Sequence, residues 1–193
     1  MSEKDPAERP KGVSFEGRMK ISWLMNAATH PTDSIERSQR NCRLLQALLV
    51  AQDPHHDPVD TSADLLRIEA KVDLLLDMVS RLLQQMAPDT VESEVEIWLE
   101  GMCWSVEGGG DFAVNQQLML QLYLDAHLTQ PLELAAVVTG VEQQNRCCLV
   151  EVRFNDLGEQ VSDLLGKFIF RQHRRLVAKQ RADKRKERNK SPD

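Results

Sequence analysis

The stretch ADLLRIEAKVDLLLDMVSRLLQQMAPDTVESEVEIWLEG, residues 63–101, decides the fold. In its first part Leu65, Ile68, Val72, Leu75, Val79, Leu82 and Met86 follow one another at alternating steps of 3 and 4 residues. That is the heptad rhythm of a helix, with Leu65, Val72, Val79 and Met86 at a and Ile68, Leu75 and Leu82 at d. Leu76 and Leu83 fall at e and Met78 at g, so the stripe is broader than the seam of a simple two-stranded coiled coil. A helix over 63–86 would be roughly 36 Å long at about 1.5 Å per residue. Such a stripe is buried either in the core of its own domain or by self-association. The strict spacing and the breadth favour self-association. After Pro88 the apolar period changes from 3.6 to 2, the change from helix to strand.

Working outward, VEIWLEG (95–101), QLMLQLYLDA (117–126), LELAAVVTGV (132–141) and NRCCLVEVRF (145–154) read as strands separated by Gly, Gln, Asn and Pro. Leu118, Leu120, Leu122 and Leu124 share one face. CWSVEGGGDF (103–112) reads as a hairpin-like connection, and VSFEGRMKISW (13–23) as a further strand. No helical segment separates the later strands, which excludes a doubly wound parallel sheet. The expectation is α+β: a small antiparallel barrel of about five or six strands with two inserted helices and a closing helix. The first inserted helix spans 34–52, with Asp33 and Glu36 at capping-box spacing, and buries Cys42, Leu45, Leu48 and Leu49. DPHHDPVDTS (53–62) links it to the heptad helix. The closing helix, 159–182, buries Val161, Leu164, Leu165, Phe168, Ile169 and Leu176. Residues 1–12 and the basic tail 183–193 read as disordered ends of one domain over 13–182, in which 34–86 is the insertion and 91–155 the barrel.

The chain has 193 residues, 41% hydrophobic and only 5% aromatic, so aliphatic side chains supply most of the core. No run of about 18 apolar residues is present, which predicts no membrane insertion. The N-terminus MSEKDPAERPKG lacks the apolar core of a secretory signal. Cys42, Cys103, Cys147 and Cys148 have no CxxC spacing; together these features predict a cytoplasmic protein with reduced thiols. Charge is unevenly placed. Residues 167–193 carry 11 basic and 3 acidic side chains, net +8, and the remaining 166 residues carry net −14. The basic end has neither a helix-turn-helix pattern nor a stacking set of aromatics, and the acidic body repels phosphate, so nucleic acid is not the expected partner.

Little in the chain points to chemistry. His55 and His56 lie on a proline-interrupted loop without the i, i+4 geometry of helical zinc ligands. His30, His127 and His173 have no companions. Cys103 and Ser105 lack an identifiable base, and no GxSxG, HExxH or phosphate-loop motif is present. The expectation is no enzyme activity, no metal and no cofactor. The glycine-rich segment Ser105–Gly110 reads as a tight turn or as a flexible loop whose N–H groups receive an anion; Glu107 disfavours the anion.

The order of an N-terminal strand, a small barrel and a closing helix ending FIFRQHRRL resembles a PilZ domain, the bacterial module associated with cyclic di-GMP signalling. Ser105, Gly108 and Gly109 match the second half of that family's D/N-x-S-x-x-G motif. The helices inserted after the first strand, above all LRIEAKVDLLLDMV (66–79), resemble the non-canonical, oligomer-forming branch of gammaproteobacteria. The resemblance implies a homotetramer built on the long helices through Leu65, Ile68, Val72, Leu75, Leu76, Val79, Leu82, Leu83 and Met86. It also implies a role in type IV pilus function, motility or virulence. The family's R-x-x-x-R pair, whose planar guanidinium forks grip phosphates, is reduced to Arg18 followed by Ser22. Arg37, Arg40 and Arg43 on the first helix and Arg67 with Lys71 on the second do not form the pair. Cys103 stands at the D/N position and accepts only weak hydrogen bonds. The ligand-binding candidates are thus Arg18, Ser105, Gly108 and Gly109, a degraded set. The expected function is self-association and contact with a protein partner, without conventional cyclic di-GMP binding. The alternative is a cyclic di-GMP receptor in which Arg18 of one chain meets Arg153 or Arg171 of another.

Overall fold

The computed structural model describes residues 12–25, 31–51, 90–125, 130–144 and 147–188, and the helical positions 68, 71, 72, 74, 75, 78 and 79. Six strands close an antiparallel barrel: β1 (Phe15–Met25), β2 (Val91–Trp98), β3 (Gly101–Glu107), β4 (Gln117–Tyr123), β5 (Leu132–Gln144) and β6 (Cys147–Phe154). Around the barrel the order is β1-β2-β3-β6-β5-β4. Closure depends on the length of β1. Its first part pairs with β2, from Phe15↔Ile97 to Ile21↔Val91. Its second part pairs with β4, from Lys20↔Tyr123 to Met25↔Leu118. One long strand thus joins both edges of the sheet and closes the barrel. A register shift at Val138/Gly140 in β5 adds the local bend that closure needs.

Alternation fills the interior. Leu118, Leu120 and Leu122 from β4, Leu132, Leu134, Ala136 and Val138 from β5, and Cys148, Val150 and Val152 from β6 are all at most 3% exposed. Each such aliphatic contributes about 1.5–3 kcal/mol on burial. Trp23, Trp104 and Phe112 pack with ring centroids 5.4–5.9 Å apart.

The strand β3 corrects one expectation. Cys103, Trp104, Ser105 and Val106 belong to a strand paired with β2 and β6, and the connection begins only at Gly108. Met102, Cys103 and Trp104 are buried in succession, so β3 is covered on both faces and carries no period-2 signal.

Two helices pack with the barrel. The helix α1 (Pro31–Ala51) starts earlier than expected, with proline at its first position. Asp33 therefore lies inside the first turn, facing the positive end of the helix dipole, and is not the cap. Cys42, Leu44, Leu45 and Leu48 are buried in the common core and Leu49 packs against it. Asn41, 4% exposed, ties α1 to β5: its Nδ2 donates to the Glu133 carbonyl (2.8 Å) and its Oδ1 accepts from the Glu133 N–H (3.1 Å). The β5–β6 ladder starts only at Ala136↔Phe154, so Asn41 stands in for the missing strand beside Glu133.

The helix α2 (Glu159–Arg188) buries Val161, Leu164, Leu165, Phe168 and Ile169 as expected, while Leu176 is half-buried. It runs to Arg188, so the segment expected to be disordered from 183 is helical over its first six residues. Ala, Lys, Arg, Gln and Glu are strong helix formers, and no Gly or Pro interrupts them before Pro192. Arg171 Nη1 donates to the Leu49 carbonyl at 2.6 Å. It supplies the positive charge that the last turn of α1 lacks.

Candidate functional site

Ser105 lies near the end of β3, opposite Leu149, and Leu149 lies opposite Glu142 on β5. On the other side, Trp104 pairs with Val95, which places Ser105 beside Glu94, and Glu94 lies opposite Arg18. Arg18, Glu94, Ser105, Leu149 and Glu142 therefore form one row across five strands. Residues 102, 104 and 106 are the buried inward set, so this row faces outward. Glu94 and Glu142 are exposed on it, and Glu107 is exposed two residues further along β3. Arg18 is its basic member, and its Nε sits 3.5 Å from Glu92 Oε1, both side chains more than half exposed. The surface around Ser105 is thus acidic, the wrong sign for a phosphate-bearing ligand.

The remaining motif positions have structural duties. The Ser105 carbonyl accepts the Ser93 hydroxyl at 2.7 Å, and Ser93 is buried. Gly108 and Gly109 have φ of 80° and 82°, which side-chain-bearing residues resist. Phe112 N–H then donates to the Gly110 carbonyl (2.8 Å), and the chain delivers Phe112 to the two tryptophans. The glycine run is therefore a turn that places an aromatic residue, in agreement with the turn reading. Ser22 is buried and donates to Gln121 Oε1 at 2.9 Å. Beside it, burial pushes the Tyr123 phenol up, with the Ser22 hydrogen bond opposing and the Glu133 charge reinforcing the shift.

Neither Arg153 nor Arg171 converges on Arg18 within one chain. Arg153 lies opposite Gly101, four residues along β3 from Ser105. Three strand spacings and four residues separate it from Arg18, roughly 14 Å across and 13 Å along the sheet. Arg171 is engaged at the end of α1. Among the described residues no group of His, Cys, Asp and Glu is arranged to hold a metal ion. His173 Nδ1–H donates to the Ser14 carbonyl at 2.9 Å, whereas His30, His55, His56 and His127 lie outside the described residues. Burial pushes the Cys42 thiol up, away from the reactive thiolate.

The second feature is the heptad stripe. Ile68, Val72, Leu75 and Val79 are helical and 47–60% exposed. Leu74 and Met78 join them at 60% and 54% exposure, and Leu74 lies outside the a, d, e and g set that the spacing picks out. None of these six described residues belongs to the hydrophobic core. Leu65, Leu76, Leu82, Leu83 and Met86 lie outside the described residues. A third, smaller apolar surface is a groove of about 340 Å³ lined by Val13, Trp98, Leu99, Gly166, Ile169 and Phe170, among others.

Residues 45–182 match the family model described as "atypical PilZ domain, cyclic di-GMP receptor". The chain belongs to the atypical PilZ domain family. Among solved structures it is similar to a pathogenic protein from Xanthomonas campestris, described as a tetrameric PilZ domain self-assembled via an unusual helical bundle. That match has a TM-score of 0.72 at 22% identity and covers 88% of this chain and 93% of the other. Weaker matches are the Bacillus subtilis inhibitor of motility MotI/DgrA and the PilZ domain of Escherichia coli YcgR with cyclic di-GMP. Their TM-scores are 0.37 and 0.39 at 17% and 16% identity, covering 47% and 50% of this chain and 44% and 80% of theirs. No curated protein matches. The PilZ barrel expected from the sequence is therefore the fold. Among the described residues, no helix of this PilZ protein is long and apolar enough to cross a membrane.

Proposed function

We propose that this PilZ protein is a non-enzymatic cytoplasmic adaptor that self-associates, as a tetramer, through the helix over 63–86 and acts by contacts with a protein partner. The observation that carries the reading is the stripe of six aliphatic side chains left about half exposed outside the core. An exposed apolar patch of that extent marks an interaction surface. The tetramer described for the Xanthomonas campestris protein supports four copies in the assembly. On this reading conventional cyclic di-GMP binding is lost, because the row around Ser105 is acidic and neither Arg153 nor Arg171 of the same chain lies beside Arg18. Calorimetric titration with cyclic di-GMP tests that part. No heat up to about 100 μM nucleotide corresponds to binding weaker than roughly −5.5 kcal/mol. Sedimentation velocity tests the assembly, and a monomer at micromolar concentration would sink it.

The description of the matched family as a cyclic di-GMP receptor favours one second reading. In it, Arg18 of one subunit and Arg153 of another grip the nucleotide jointly. Saturable micromolar binding that disappears in both Arg18→Ala and Arg153→Ala would establish it. Kinship with the family extends the proposal to type IV pilus function, motility or virulence; a deletion strain normal in all three removes that extension.

A further inference from the structure

The helix α2 does not end where the domain ends. Its buried face stops at Ile169, Leu176 and Val177 are half-buried, and every described side chain from Ala178 to Asp183 is exposed. The helix continues to Arg188, so an arm of roughly 16 Å projects beyond Val177 at about 1.5 Å per residue. Beyond Val177 the arm carries six basic residues, Lys179, Arg181, Lys184, Arg185, Lys186 and Arg188, against Asp183 and Glu187. At 3.6 residues per turn, positions 174, 181, 185 and 188, all arginine, lie within about 60° of one another, while Lys179 and Lys186 share the opposite side with Asp183 and Glu187. At the root of the stripe the Arg174 guanidinium sits 5.9 Å from the centroid of the Phe170 ring. Lys179 and Arg181 make no ion pair with a described residue. A continuous helix does not fold back on the barrel it leaves, so the acidic face of its own barrel is out of reach of this end.

The barrel carries a surface of complementary charge and size. Glu94 and Glu142 stand on one level of its outer face, three strand spacings apart or roughly 14 Å, and Glu107 lies two residues further along β3. None of the three makes an ion pair with a described residue. We propose that the arginine-faced end of α2 docks on the acidic barrel face around Ser105 of a second copy. The proposal rests on the self-association argued above and adds a second contact to it. Guanidinium groups suit this role because their fork pairs with carboxylates in two parallel hydrogen bonds. A second copy is favoured over nucleic acid because the body of 166 residues, at net −14, repels phosphate and attracts the arm. Copies joined through the 63–86 helix also present their barrels to one another at an effective concentration on the order of millimolar.

The test is sedimentation velocity of the full chain at about 50 mM and about 500 mM salt, where the Debye length falls from above to below 10 Å. The variants are Arg181→Glu/Arg185→Glu/Arg188→Glu, Glu94→Arg/Glu107→Arg/Glu142→Arg, and the two sets combined. Each single set is expected to raise the dissociation constant of the assembly at least about tenfold at low salt and hardly at all at high salt. The combined chain, with both charges exchanged, is expected to recover the wild-type value. Thermal melting followed by tryptophan fluorescence checks that every variant folds. An arm variant that assembles like the wild type, or a combined chain that does not recover, overturns the docking and leaves self-association standing. A monomeric wild type overturns both. Retention on single-stranded RNA that the arm reversal abolishes would assign the arm to nucleic acid and also overturn the docking.

Discussion

Replacing Leu75 and Val79 by Asp separates assembly from folding. Ile68, Val72, Leu74, Leu75, Met78 and Val79 are 47–60% exposed. Complete burial of an aliphatic side chain contributes about 1.5–3 kcal/mol, so covering the exposed half of these six contributes roughly 5–9 kcal/mol per chain. Two aspartates remove roughly 2 kcal/mol of that and place two carboxylates in an apolar seam, at a further cost of several kcal/mol. A loss of only about 4 kcal/mol already raises the dissociation constant roughly a thousandfold. Sedimentation velocity should show the 22.0 kDa variant as a monomer where the wild type is assembled. Fluorescence gives an independent reading of the barrel, because the three tryptophans, Trp23, Trp98 and Trp104, all lie in barrel strands. Their melting transition should stay in place, since the described residues of the stripe, Leu75 and Val79 among them, are not part of the core. The reasoning is refuted if the double variant remains assembled, or if the tryptophan transition falls along with the assembly. The second result would return the helix to the core of its own domain.

Three substitutions test the scaffold. Asn41→Ala removes both hydrogen bonds to the Glu133 backbone and leaves those part-buried groups without the amide. It should cost about 2–4 kcal/mol in chemical denaturation, and an unchanged midpoint would mean that water takes the place of the amide. Gly101→Ala would put a Cβ 2.2 Å from the Val152 carbonyl, inside the β3–β6 ladder. Backbone cannot yield there as a side-chain tip would, so roughly 3–4 kcal/mol of stability should disappear. Gly108→Ala meets no atom within 4 Å but retains a φ of 80°, so only the left-handed strain of about 1–2 kcal/mol should appear. If Gly101→Ala proves the milder of the two in the same denaturation series, the account of these glycines is wrong.

How far the sequence could be read depends on how many neighbours each segment has. β4 was legible because Leu118, Leu120 and Leu122 alternate with Gln117, Met119 and Gln121, a period of 2 that survives although Met119 is buried as well. β3 was not, because Cys103 is buried on the outer side as Trp104 is on the inner, and its Ser, Glu and Gly suggested a loop. The motif residues could be found by spacing, but not their surroundings. The acidic row depends on register, which brings Glu94 from β2 and Glu142 from β5 to the level of Ser105. Asn41 gave no signal in advance, because its role depends on β6 reaching only as far as Ala136 along β5. The basic tail was read by charge alone, whereas its alanines, lysines and arginines also continue a helix that docking has already nucleated.

The place of the insertion explains why one chain can hold a closed barrel together with a helical segment whose described residues stand outside its core. β1 and β2 are hydrogen-bonded neighbours, yet residues 26–90 separate them. Loop-closure entropy grows only with the logarithm of length, by about 0.6 kcal/mol per doubling. Four doublings from a short hairpin to this excursion cost roughly 2.5 kcal/mol. The docking of α1 offsets that amount, since Leu44, Leu45 and Leu48 are each at most 6% exposed. The heptad stripe beyond α1 is therefore released from the barrel's requirements: its described residues fix no register and fill no core position. A stripe that would destabilise a strand or a compact helical layer by its exposure is tolerated there. On the proposed assembly its apolar residues become stabilising once another chain covers them, so a change in Val79 should be read in the mass of the particle and a change in Asn41 in its melting.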